Sequence, residues 1–287
     1  MCTLFVLINK IENIPVSFVL NRDEFHHRKS LPIQFLDKDF NVVDPAILSQ
    51  ATNTVTTASG FGGIVAPKDE VKGGTWFGFL KEKDFKYAAL TNIRNPIQRE
   101  ENKESRGLII KDFLNSALKP KDYLLHLKKT ASEYNGFNLV FGNDSQCFHF
   151  NSASKSSTLL WDKSQTKKEK IYGISNATLD SHWPKVIYGK KKLSEILAKS
   201  FAKDPKFLWE IVKPIMQDQT KFSLRDLPMT GISEELEVFL SSRFIVNERY
   251  GTRSTLFFLF KKEHSNFFEM TYDKNGNEIE EKNISFL

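Results

Sequence analysis

Cysteine is scarce: the 287-residue chain has two, Cys2 and Cys147. Two thiols cannot build a disulfide framework, and whether they form one bridge stays open on sequence alone. His126, His149, His182 and His264 lack zinc-ligand spacing. No Cys-x-x-Cys-His string offers a haem attachment. Long hydrophobic runs are missing too. Thr3 to Ile8 is apolar, but Asn9, Lys10 and Glu12 end it too soon for a signal peptide. No run reaches the roughly 20 apolar residues of a membrane span. The expectation is a soluble, cytoplasmic protein with reduced thiols, no stable membrane insertion, no metal and no cofactor.

What the chain does have is ordinary globular chemistry, with 40% hydrophobic and 26% charged residues and ample length for a core. Phe is unusually common at 25 copies, which suits core filling or an apolar cleft. Lys and Arg outnumber Asp and Glu by 41 to 35. That balance weakly favours acidic ligands, nucleic acid or anionic membrane. The lysines are spread, however, and the tightest runs are Lys190-Lys191-Lys192 and Lys167-Lys168. With no nucleic-acid motif beside them, they read as a solvated surface, and no nucleic-acid partner is expected.

Element signals fall in blocks. Thr3–Asn9 and Val16–Leu20 read as a hairpin around Glu12-Asn13-Ile14-Pro15, and Thr75–Leu80 and Tyr87–Asn92 as another. Residues 24–60, with Pro32 and Pro45, read as a long connection. Helical spacing begins near Ser105 and again over Lys121–Tyr134. Strands follow at Phe137–Phe141, Cys147–Phe150, Thr158–Trp161 and Ile171–Ser175. Helices return at Trp183–Lys199, Pro205–Gln217 and Glu235–Ser241. The last strands are Phe244–Asn247, Ser254–Phe260, Phe267–Tyr272 and Glu278–Phe286. Segregated strand and helix blocks predict an α+β fold with antiparallel sheets rather than alternating βαβ units. No linker divides the chain, so residues 1–287 are expected to form one domain.

Cys2 follows the initiator Met, and aminopeptidases generally remove Met before so small a residue. The mature chain would then carry a thiol and a free α-amine on one residue. Their reference pKa values are about 8.5 and 7.7–8.0, so one residue can supply both nucleophile and base near neutral pH. The alternative is a small apolar residue starting a buried strand. Asn21-Arg22-Asp23-Glu24 closes the next strand, where Arg22 can favour the thiolate and Asp23 can orient the α-ammonium or Arg22. The alternative there is a charged strand end forming surface ion pairs. Adjacent strand residues point to opposite faces, so Arg22 and Asp23 both meet Cys2 only where a strand ends or bulges. Asn92 and Asn176 stand at strand ends and can donate to an oxyanion, or simply serve as turn residues.

Several strings, taken in order, carry a resemblance. They are Met1-Cys2, Asn21-Arg22-Asp23-Glu24-Phe25, Gly73-Gly74-Thr75-Trp76-Phe77-Gly78 and Leu90-Thr91-Asn92 with Arg94. Ser105-Arg106-Gly107 and Tyr134-Asn135-Gly136-Phe137-Asn138-Leu139 follow. Tyr172-Gly173-Ile174-Ser175-Asn176, Trp183-Pro184-Lys185 and Tyr250-Gly251-Thr252-Arg253-Ser254-Thr255 complete the series. Over nearly its whole length the chain resembles the family named for its Asn-Arg-Asp-Glu motif, related to transport and Golgi organisation protein 2. That family in turn resembles the Cys-type N-terminal nucleophile hydrolases, such as penicillin V acylases and bile salt hydrolases. The resemblance implies an αββα sandwich of two antiparallel sheets flanked by helices. It implies an amide-cleaving site at Cys2, Arg22, Asp23, Asn92 and Asn176, with Arg253 binding substrate. The small-molecule substrate would be a linear amide. Family members linked to Golgi organisation, acyl-CoA and lipid homeostasis and haem movement imply the alternative, a non-catalytic carrier. Under that alternative His26 and His27 are candidate haem contacts, though neighbouring histidines in a charged loop more often read as solvated surface.

Overall fold

The computed structural model describes residues 2–44, 51–52, 55–57, 62–82, 85–94, 100–165, 168–199, 204–262 and 264–285. Met1, Pro45, Lys167 and Phe286, which enter the sequence expectations, lie outside these residues.

The strands in chain order are β1 (Cys2–Ile11), β2 (Ile14–Phe25), β3 (Ser30–Leu36), β4 (Ala51–Thr52) and β5 (Val55–Thr57). Next come β6 (Gly63–Asp69), β7 (Phe77–Lys81), β8 (Lys86–Asn92), β9 (Phe137–Asn143), β10 (Gln146–Asn151) and β11 (Ser156–Asp162). The set ends with β12 (Lys170–Ile174), β13 (Tyr250–Phe260), β14 (Asn266–Tyr272) and β15 (Glu278–Ser285). They form an eight-stranded sheet, β12-β1-β2-β13-β14-β15-β5-β4, and a seven-stranded sheet, β11-β10-β9-β8-β7-β6-β3. Among the described residues all pairs are antiparallel except β15 with β5.

Alternation along the strands sorts the side chains into layers. Leu4, Val6, Phe18, Leu20, Leu256 and Phe258 from one sheet meet Val65, Phe77, Phe79, Tyr87 and Val140 from the other. Here the abundant phenylalanines fill the space between the sheets: Phe258 and Phe267 stack with centroids 4.7 Å apart, and Phe77 tilts against Phe258 at 5.2 Å. The opposite residues, Phe5, Leu7, Val19 and Phe257, pack under α3 (Pro184–Lys199) and α4 (Pro205–Met216). On the far side, Ala88, Leu139 and Phe141 pack under α1 (Gly107–Asn115) and α2 (Pro120–Thr130). Both faces of each sheet are covered, so the strands read as near-continuous apolar runs. This is the expected αββα sandwich.

The helices start where capping chemistry allows. Asp204 accepts from the Phe207 N–H at 2.8 Å, and Pro205 supplies a preset first turn for α4. Leu208, Trp209, Val212 and Met216 then share its buried face. A short helix, α5 (Glu234–Phe239), is capped by Ser233.

Four sequence expectations are corrected. The connection over residues 24–60 contains β3, β4 and β5, and β2 itself runs on to Phe25. Strand β6 was not foreseen. Phe244–Asn247 is no strand: the Ile245 N–H donates to Thr252 Oγ1 and the Ile245 carbonyl accepts from the Thr252 N–H, so its backbone is spent on a turn against β13. The second helix stops at Thr130 and tightens into a 3-10 turn over Ala131–Glu133. Cys2 and Cys147 are both free thiols, as expected of Cys147. No helix among the described residues is long and apolar enough to cross a membrane.

Candidate active site

Cys2 opens β1 directly opposite Arg22 of β2, and Arg22 lies opposite Ser254 of β13. Residues so paired share a face, here the one between the sheets. Asp23 is one position past the last β1 partner, so it reaches the end of that strand rather than its side. The sequence reading required β2 to end or bulge at this point, but β2 runs on to Phe25, and the end that Asp23 reaches is that of β1. Burial, followed by the Asp23 charge, pushes the Cys2 thiol up, while Arg22 pulls it down. Cys2 is 7% exposed.

Arg22 lies flat on Trp76, 4.3 Å from guanidinium carbon to ring centroid. Its Nη2 is 3.9 Å from Asp69 and 4.0 Å from Glu24. Asp69 is engaged by Arg28 at 2.6 Å, so an acidic and basic network braces the end of β2. Asp23 is buried, which raises it, and Thr252 Oγ1 donates to its Oδ1 at 2.7 Å. Asn21 is buried as well, donating to the carbonyls of Met216 and Arg243 at 2.9 and 2.8 Å. The Asn-Arg-Asp portion is therefore interior, and the reading of a surface-charged strand end is overturned.

Asn92 ends β8, and Asn176 follows β12 by two residues. Asn176 Nδ2 donates to the Asn92 carbonyl at 2.8 Å, and the Arg94 N–H donates to the Asn176 carbonyl at 2.8 Å. Ser175 Oγ donates to the Cys2 carbonyl at 3.1 Å. The two asparagines are thus joined to each other, and the loop bearing Asn176 is joined to Cys2. Asn92 and Asn176 also line a cleft of about 1090 Å³ together with Arg28, Arg94, Ile232 and Tyr250. Cys2, Arg22 and Asp23 are not on its walls.

Arg253 is the extra residue of a bulge in β13, between Thr252 and Ser254. It is half-buried, bonds His26 Nδ1 at 2.6 Å and is lowered by burial and by neighbouring Arg22. The other ring nitrogen of His26 meets the Asn247 carbonyl at 2.8 Å, so His26 is not the solvated residue its charged surroundings suggested. His27 is exposed and stacks on Phe25. Among the described residues no group of His, Cys, Asp and Glu could hold a metal ion.

Trp76, Ser175, Lys185 and Thr252 stand in the strings that carry the resemblance but have no role legible in sequence. Nothing local distinguishes them, because each acts across the fold. Register and hydrogen bonding reveal them only once the strands are paired.

A family model described as Transport and Golgi organisation 2 matches residues 1–274, and the chain belongs to that family. The bovine Transport and Golgi organization protein 2 homolog is 29% identical over 211 residues, covering 68% of this chain and 64% of the relative. The mouse homolog is 28% identical over 218 residues, covering 70% and 66%. The human one matches at 28% over the same length. The match thus spans a little under two thirds of these relatives' own length.

Proposed function

We propose that this chain hydrolyses a linear amide C–N bond, with Cys2 as an N-terminal nucleophile once Met1 is removed. The observation that carries the reading is the meeting of Cys2, Arg22 and Asp23 at one strand end, tied through Ser175 to the loop of Asn176. The Cys2 thiol passes its proton to the α-amine and attacks the amide carbonyl. Asn92 and Asn176 donate to the oxyanion, a type of contact worth about 10²–10³ in rate per donor. The C–N bond breaks as the α-ammonium returns a proton to the leaving amine. Water then hydrolyses the thioester, releasing the acid and the thiol. Asp23 holds the α-ammonium, Arg22 favours the thiolate, and Arg253 meets substrate. The resemblance to Cys-type N-terminal nucleophile hydrolases supports this assignment.

A second reading rests on a specific observation: the cleft of about 1090 Å³ is lined without Cys2. A carrier would hold its ligand there, an acyl-CoA, lipid or haem, and need no nucleophile. The test is to measure intact mass for loss of Met1 and then to assay a panel of acyl amides. Hydrolysis by the processed form, lost in Cys2→Ser, is the expected result. Ligand binding without turnover, equal in processed and Met1-retaining forms, supports the carrier instead.

A further inference from the structure

Asn138 sits in β9 directly opposite Thr91 of β8 on one side and Asn151 of β10 on the other. On the same strands Ala89, Val140 and Cys147 point between the sheets. Residues two apart share a face, so Thr91, Asn138, His149 and Asn151 lie on that face too. None of the four is more than 3% exposed.

The Asn138 amide uses every hydrogen-bonding position it has. Nδ2 donates to the Ala177 carbonyl at 2.8 Å and to Thr91 Oγ1 at 3.3 Å. Oδ1 accepts from Asn151 Nδ2 and from His149 Nε2, each at 3.0 Å. Two backbone groups fix this orientation from opposite ends. The Ser154 N–H donates to Asn151 Oδ1 at 3.0 Å, which turns the Asn151 amino group towards Asn138. At the other end the Ala177 carbonyl can only accept. A flipped Asn138 would set oxygen against that carbonyl and N–H against the N–H of Asn151. His149 must then carry its proton on Nε2. Burial pushes its ring down to about 4, so it is neutral near pH 7 and keeps that donor.

What this network grips is the pair of candidate oxyanion donors, since Thr91 precedes Asn92 and Ala177 follows Asn176. Three bonds hold the Asn176 loop against the seven-stranded sheet. Asn138 donates to the Ala177 carbonyl, the Arg94 N–H donates to the Asn176 carbonyl, and Asn176 Nδ2 donates to the Asn92 carbonyl. Asn176 apart, Asn138 is the one side chain in these three bonds. One step along the same face the positions are apolar, at Ala89 and Val140. A buried amide gains little net stability over an apolar residue of its size, so its bonds must be worth something in position. Donors to a developing charge have to be held to within about 0.5 Å.

We propose that Asn138 is a positioning residue: gripping the Ala177 carbonyl and the Thr91 hydroxyl, it holds Asn176 and Asn92 at one mutual distance, and His149 locks its amide in the orientation that does so. The benefit to an oxyanion rests on the proposed function; the restraint on the two asparagines does not.

The test follows hydrogen exchange of the Asn176 side-chain amide by NMR, with its signal assigned by Asn176→Ser. The buried amide of Asn21, bonded to the Met216 and Arg243 carbonyls in the other sheet, is the reference for general loosening. In Asn138→Leu the Asn176 amide should exchange about tenfold faster or more relative to Asn21. His149→Leu should move it in the same direction, and His149→Gln, which keeps an N–H for Asn138, should restore wild-type behaviour. Equal acceleration at Asn176 and Asn21, or an unmoved Asn176, overturns the proposal. If Asn138→Leu fails to fold, the two His149 variants decide, and equal exchange in Leu and Gln overturns it. With an acyl amide of the panel that wild type hydrolyses, Asn138→Leu should lower kcat about tenfold or more with KM nearly unchanged; a raised KM at unchanged kcat overturns the positioning role. The exchange measurement needs no substrate, so a protein that hydrolyses no amide would sink the proposed function and leave the restraint standing.

Discussion

Ser175 Oγ donates to the Cys2 carbonyl at 3.1 Å, joining residues 173 apart in sequence, one opening β1 and the other just past the end of the neighbouring β12. The same hydroxyl reaches Asn176 Oδ1 at 3.2 Å, so it fixes the amide next to it as well as the strand end. Ser175→Ala leaves the buried Cys2 carbonyl and Asn176 Oδ1 each short of a donor. The expected loss is about 1–3 kcal/mol in urea unfolding. Thiol labelling of Cys2 should also speed up as the end of β1 loosens. A variant equal to wild type in both measurements would show that this hydroxyl holds nothing.

Glu269 gives the fold a pH dependence. It is 1% exposed, points between the sheets, and accepts from the Ile33 N–H at 2.5 Å, a donor released by the irregularity in β3. Burial pushes its carboxyl from 4.5 to about 7, against the pull of Ile33 and Ser254. The folded state therefore holds this proton more tightly than the unfolded one. Stability from the group is present below about 4.5 and is lost as pH rises towards 7, by roughly 3 kcal/mol. Glu269→Gln should flatten the urea midpoint over that window and exceed wild type at pH 8. A parallel pH profile in wild type and variant would refute it.

Gly74 and Gly107 set the position of Trp76. A Cβ on Gly107 would lie 2.8 Å from the Thr75 backbone nitrogen, and one on Gly74 would lie 2.6 Å from the Gly107 carbonyl carbon. Only two glycines let the segment before β7 lie against the start of α1. Gly107→Ala should cost about 1–3 kcal/mol by overpacking, although alanine is the better helix former. Trp76 should shift with the backbone, read as a change in tryptophan fluorescence beyond that of Asn115→Ala at the exposed end of α1.

Most of the fold was legible because apolar alternation and helical spacing are local. Phe5 and Leu7 against Leu4 and Val6 mark a strand covered on both faces, and the α4 face of Leu208, Trp209, Val212 and Met216 is plain in sequence. The stretch Ser30–Leu36 escaped because Pro32 suggested a break, yet it is an edge strand whose irregularity accommodates proline. Of the candidate site, Cys2, Arg22 and Asp23 could be named from chain order, but not their geometry. Arg253 became intelligible only through the bulge that sets it beside His26 and Arg22.

The last prediction concerns Arg22 and its stacking partner. Burial raises the Cys2 thiol, and Arg22 is a cation that opposes this. Its planar guanidinium is held on Trp76 at 4.3 Å, an arrangement a lysine cannot reproduce. Arg22→Ala should push the thiol higher still, moving the pH of half-maximal iodoacetamide labelling of Cys2 upward. Each unit of that movement slows labelling about tenfold at neutral pH. Arg22→Lys keeps the charge but loses the stacked geometry, and should fall between the two. Trp76→Leu should mimic Arg22→Lys, because it frees the guanidinium without removing it. Labelling is read on the Cys2 peptide by mass spectrometry, which separates it from Cys147, whose thiol burial pushes up to about 12. If Arg22→Ala leaves the labelling profile where it was, Arg22 is a structural partner of Asp69 and Glu24 only, and does not set the reactivity of the Cys2 thiol.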